Sequence, residues 1–298
     1  MEEEKYRDLK RGETGAIISI ITYIILSILK VVVGLWSGSE ALRADGLNNG
    51  TDIVASMAVL IGLKYAQKPA DRNHRYGHWK AETVASMVAS FIMAAVGVNV
   101  VYEAIHTFVI SSHESPNLIS AWIGLFSAIV MYFVYRYNRN LAREIKSHSV
   151  MAAAKDNLSD ALVSIGTVVG ILGAQLNLPW LDPLTAVLVG VIICKTAWEI
   201  FREASHHLTD GFDEEEIMTY KETILNTQGV KEVKDIKARN YGNNQVVDAV
   251  ILVRSDLSLQ EAHHISTRVE NELKIKHEVY NVHVHVEPLE LERLANIN

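Results

Sequence analysis

The chain has 298 residues, 49% of them hydrophobic and 21% charged, with a formal net charge of −7 at pH 7. Its mean hydropathy of +0.12 is too high for an ordinary soluble protein and too low for one buried in lipid throughout, so a membrane part joined to a soluble part fits best. The acidic balance argues against a nucleic-acid partner, and a single cysteine, Cys194, leaves no internal disulfide.

A charged opening, MEEEKYRDLKRGE, precedes the first of six apolar stretches. Each has roughly the 20 residues needed to cross ~30 Å of hydrocarbon at 1.5 Å per residue. They predict membrane spans over about 14–36, 40–64, 82–108, 118–136, 149–175 and 178–200. The first is too long for a signal-peptide core and no small-residue cleavage pattern follows it, so it is expected to remain in the mature protein. Lys5, Arg7, Lys10 and Arg11 precede the first span, Lys68, Arg72, Arg75 and Lys80 follow the second, and Arg136, Arg139, Arg143 and Lys146 follow the fourth. The opposite loops carry no lysine or arginine, which predicts a multi-pass protein of the cell membrane with both termini cytoplasmic.

Ionisable groups inside spans cost ~2.5–3.5 kcal/mol each on insertion scales, so they need a reason. The second and fifth spans hold most of them, and NNGTDIVAS of the second aligns with DNLSDALVS of the fifth. Asn49 matches Asn157, Asp52 matches Asp160 and Ser56 matches Ser164, with Thr51 against Ser159. Transporters build midmembrane sites from corresponding helices of two related halves. Asn48 with Asp52, and Asp156 with Asp160, stand four residues apart, which on a helix puts each pair on one face. Two such faces opposed supply four ligands. The competing structural reading has these residues paired with Lys30 and Lys155, or capping broken helices. Carboxylate and amide oxygens suit magnesium, calcium and manganese, whereas zinc and copper favour imidazole and thiolate. With no nitrogen ligand in the set, Mn²⁺ is the first expectation, followed by Fe²⁺ and Zn²⁺.

Beyond about residue 207 no further span is predicted, and the periodicity changes. DEEEIMTYKETILNTQ reads as a helix, VKEVKDIKARNYG and QVVDAVILVRS as strands with GNN as their hairpin turn, SLQEAHHISTRVENELKIK as a second helix and EVYNVHVHVEPLE as a third strand. The fold class is therefore an α-helical membrane protein of six transmembrane helices, over 1–206, followed by a C-terminal α+β unit of order αββαβ, over 207–298.

Six spans, the NxxxD and DxxxD pairs, the loop PADRNHRYGHWKAE after the second span and a tail ending VHVHVEP together resemble the cation diffusion facilitator family across nearly the whole chain. The resemblance implies a homodimeric exporter that exchanges cytoplasmic metal for protons. Zinc-transporting members typically carry His or Asp where this chain has Asn48, and His where it has Asp156, so the Asn48, Asp52, Asp156, Asp160 set looks like the manganese-exporting branch. The family's loop often binds a second metal near the membrane surface, which carries over to Asp71, His74 and His78. His74 and His78 have a workable ligand spacing if the segment is helical. Lys80 resembles the family lysine that pairs with an aspartate after the last span, here Asp210. The tail resembles the family's metallochaperone-like dimerisation domain, with His263, His285 and Glu287 as candidate ligands and His283 on the strand face of His285. Metal-binding tails of the family usually add histidines on the first two strands, roughly where this chain has Lys234 and Val250.

The resulting expectation is Mn²⁺/H⁺ antiport out of the cytoplasm, with Fe²⁺ or Zn²⁺ as alternative cargo. A membrane-anchored metal sensor has no use for two intramembrane ligand pairs, and a passive channel would carry flux independent of a pH gradient. No P-loop is present for ATP-driven pumping, and no nucleophile-and-base constellation suggests an enzyme.

Overall fold

A computed structural model describes residues 2–37, 40–110, 118–176, 178 and 181–289. The side chains of several helical residues, Asn48 among them, lie outside that description. The chain divides into two compact units, Glu2–Ser205 and a second that begins at His206.

The first unit is helical: α1 (Glu2–Ser37), α2 (Glu40–Ala66), α3 (Lys80–Ile110), α4 (Leu118–Glu144), α5 (His148–Gln175) and α6 (Leu181–Leu208), whose last turn passes into the second unit. Four of them, α1, α3, α4 and α6, are long and apolar enough to cross a membrane. The other two, α2 and α5, carry the Asn48–Asp52 and Asp156–Asp160 pairs. Polarity is arranged inside out relative to a soluble protein. Ile25, Ile28, Val32 and Trp36 of α1 face outward, whereas Ser19, Lys30, Asn49, Asp52, Asn157 and Ser164 are buried. That arrangement suits a lipid surround, where polar groups must find their partners within the bundle.

The most extensive packing is between chain neighbours, α1 along α2 and α4 along α5. Gly46 permits the first of these: a Cβ there would sit 2.9 Å from both the Lys30 Cβ and the Val31 backbone nitrogen. The close approach lets the Ser27 hydroxyl donate to the Gly46 carbonyl at 2.7 Å.

The second unit contains α7 (Glu214–Leu225), β1 (Glu232–Tyr241), β2 (Asn244–Val253), α8 (Leu259–His277) and β3 (Asn281–Pro288). This is the αββαβ order expected from the sequence. Asp213 caps α7 by accepting from the Glu215 and Glu216 amides, and Ser258 with Glu261 forms a capping box on α8. β1 and β2 pair antiparallel across Gly242–Asn243, where Gly242 takes the positive φ of 61° that the tight turn requires. β3 joins β2 in parallel, giving the order β1-β2-β3. Val282, Val284 and Val286 of β3 point to the core shared with Ile265, Val269 and Leu273 of α8. By the two-residue alternation of a strand, His283, His285 and Glu287 lie on the opposite face.

Candidate metal centre

Asp52 lies near the middle of α2, and Asp156 and Asp160 stand one turn apart on α5. Packing of α2 against α5 brings one oxygen of each of the three carboxylates within 4.8 Å of the others, with all three side chains buried. The Oδ2 atom of Asp52 is buried without a hydrogen-bond partner among the described residues, an expensive condition unless another group completes it. A divalent cation fits that need, and the all-oxygen donor set fits a hard cation. Asn48 is helical, but its side chain lies outside the described residues.

The lysines that could have neutralised these carboxylates are engaged elsewhere. Lys30 Nζ lies 2.9 Å from Asp45 Oδ2, and Lys155 Nζ lies 3.9 Å from Glu203. The echo residues Asn49, Asn157, Ser56 and Ser164 are all buried, so these polar members of the repeated motif point inward on both helices.

One contact at this centre was not anticipated from the sequence. The Tyr23 hydroxyl of α1 forms a short hydrogen bond to Asp160 Oδ2 and lies 3.2 Å from Asp156 Oδ2. Tyr23 is completely buried, packed with Leu26, Met131 and Ala161. A tyrosine in an apolar helix reads as packing or as an interfacial anchor; the available signal is a polar stripe, Ser19, Tyr23 and Lys30, along one otherwise apolar helix.

In the connection between α2 and α3, Asp71, His74 and His78 each offer one ligand atom within 4.8 Å of the others. The segment is not helical, so helical spacing is not what gathers them. Asp71 Oδ1 instead accepts the backbone N–H groups of Asn73 at 2.8 Å and His74 at 2.7 Å, an Asx turn that folds His74 back over His78 with ring centroids 4.3 Å apart. His78 Nε2 lies 3.5 Å from Asp71 Oδ2. The backbone N–H donors of His74 and then Asn73 hold the Asp71 carboxyl below its usual range, which keeps it charged for a cation. Lys80 begins α3, and Asp210 follows α6 with a left-handed φ of 61°; each belongs to a different unit.

In the second unit His285 Nε2 lies 3.8 Å from Glu287 Oε1, and Lys234 Nζ lies 2.5 Å from Glu287 Oε2. Lys234 occupies a bulge in β1, where the register shifts between Val233 and Asp235. His263 is exposed on α8, whose packing face meets the valine side of β3 rather than the side of His285. Among the described residues His263 therefore does not join His285 and Glu287 around one point.

Residues 16–209 match the family model described as the cation efflux transmembrane domain, and residues 212–289 match that of the cation efflux protein cytoplasmic domain. The chain belongs to the cation efflux family. As a cation diffusion facilitator it is a multi-pass membrane transporter of divalent metal rather than an enzyme. Among its relatives, the manganese efflux system protein MneS of Bacillus subtilis is 51% identical, over 96% of this chain and 99% of that protein. The uncharacterized transporter YdbO of the same organism is 52% identical, over 96% and 98%. Manganese efflux system protein MneP, also of Bacillus subtilis, is 31% identical over 92% of this chain and 95% of that protein.

Proposed function

We propose that this cation efflux protein exports Mn²⁺ from the cytoplasm in exchange for protons, through a site of Asn48, Asp52, Asp156 and Asp160. The observation that carries this reading is the buried triad of carboxylate oxygens within 4.8 Å of one another, with an orphaned Asp52 oxygen among them. Three carboxylates that close, removed from water, need compensating positive charge. Metal arriving from the cytoplasm supplies it in one orientation of the site, and protons supply it after the metal has left. Mn²⁺ sits low in the affinity order of divalent metals, so a site gains by omitting the nitrogen and sulfur ligands its competitors prefer. The names of MneS and MneP support the same cargo.

The working unit in this reading is a homodimer in the cell membrane, each protomer crossing six times with both termini in the cytoplasm. The paired-domain family match over 212–289 supports that assembly. Asp71, His74 and His78 form a second, surface metal site. His285 and Glu287 form at most a weak site in the tail, because Lys234 already supplies the positive charge at Glu287.

Flux of Mn²⁺ into proteoliposomes driven by a proton gradient tests the proposal. Asp52→Ala and Asp160→Ala each abolish that flux; full transport by either variant removes the site assignment. Asp156→His tests the cargo, since an imidazole should shift preference toward Zn²⁺. An unchanged preference would move selectivity outside these four residues.

A further inference from the structure

The asparagine that the repeated motif places on α5, Asn157, has no part in the ligand set, yet it is fully buried. Its surroundings form a hydrogen-bond chain with one direction. The Asn138 amide of α4 donates to Ser19 Oγ at 2.8 Å and to Asn157 Oδ1 at 2.9 Å. Ser19 in turn donates to Asn157 Oδ1 at 3.1 Å. With its oxygen saturated by two donors, Asn157 must direct its amide nitrogen the other way, and it donates to the Tyr23 hydroxyl oxygen at 3.0 Å. A phenol has one proton and accepts on the same oxygen. Because Asn157 fills the accepting side, the proton of Tyr23 is left for the carboxylates, and Asp160 receives it.

We propose that Tyr23 is a positioning residue of the transport site: its hydroxyl holds Asp160 in the empty site and must release it for a divalent cation to bind. Asn138, Ser19 and Asn157 fix the direction in which the hydroxyl points. Tyr23 thus competes with the cargo, weakening binding on arrival and reclaiming the carboxylate on departure. Its apolar neighbours Leu26, Met131 and Ala161 exclude water that could take over its role, so breaking the hydrogen bond leaves buried polar groups without a substitute partner.

The inference rests on the transport-site reading, and the two fail differently. Initial rates of Mn²⁺ uptake by the full chain in proteoliposomes, measured against Mn²⁺ concentration, separate KM from kcat. Tyr23→Phe keeps the ring and removes the hydroxyl; KM should fall up to roughly tenfold, the effect of one lost buried hydrogen bond, with kcat falling alongside as release slows. Asn138→Ala touches no carboxylate and should move KM in the same direction by less. A raised KM in Tyr23→Phe would make the hydroxyl a ligand, and an unmoved KM would make Tyr23 packing alone; either overturns the proposal. An unmoved KM in Asn138→Ala overturns the chain behind Tyr23. Full flux in Asp160→Ala is the separate result that overturns the site itself.

Discussion

Lys30 Nζ and Asp45 Oδ2 are 2.9 Å apart in the first unit, with only 1% and 9% of their side chains exposed. Removing one partner of a buried ion pair strands the other charge, at a cost of about 3–5 kcal/mol, whereas replacing both with apolar groups is often neutral. Lys30→Met and Asp45→Leu should each lower the melting temperature of the detergent-solubilised protein. The double variant should melt closer to the original than either single one. Strictly additive losses would show that the two residues are not coupled.

At the tail, Lys234 and Glu287 pair across the sheet with side chains 45% and 31% exposed, so losing that pair costs little, within about 1 kcal/mol. Lys234→His exchanges a cation for an imidazole beside His285 and Glu287. Zn²⁺ affinity of the full chain, followed by calorimetry with the transport site already blocked by Asp52→Ala, should rise at least ~10-fold, since imidazoles and a carboxylate suit zinc. No gain would mean that the bulge does not aim position 234 at that face.

In the loop after α2, Asp71 does two things at once: it closes a turn and carries charge. Its lowered pKa means that the folded loop is favoured fully above the ordinary carboxylate value of about 3.9 and loses that support as pH falls through the lowered one. Asp71→Asn keeps an acceptor for the His74 and Asn73 amides and loses the charge, whereas Asp71→Ala loses both. At neutral pH, trypsin should cut after exposed Arg72 and Arg75 faster in Asp71→Ala than in Asp71→Asn. Both variants should lose metal affinity at the loop. Equal cleavage rates would remove the turn from the explanation.

Leu273 of α8 is fully buried against Val269, Val282 and Tyr220 in the second core. Leu273→Ala should destabilise that unit by about 2–5 kcal/mol, read as an earlier unfolding step in the melting of the full chain. Mn²⁺ uptake at low temperature should persist, because Leu273 touches no proposed ligand.

The carboxylates Asp52, Asp156 and Asp160, which the structure gathers, were legible in the sequence because helical spacing decides which side chains share a face, and the tail was legible from its change of period. Tyr23 was not. Its role depends on how α1 is rotated against α5, which local sequence does not encode. The loop residues Asp71, His74 and His78 do come together, but by another route: spacing of four suggested a helix, whereas Asp71 side-chain acceptance bends the backbone into a turn. His263 and His285 were grouped by residue type, and the alternation of β3 separated them.

The pairing of α1 with α2 and of α4 with α5 bears on how such a chain enters a bilayer. The helices with the polar site residues, α2 and α5, each pack most extensively on the apolar helix made just before them. Insertion as hairpins lets the earlier helix shelter the later one's carboxylates from lipid, so the order of synthesis itself protects the residues of the proposed site.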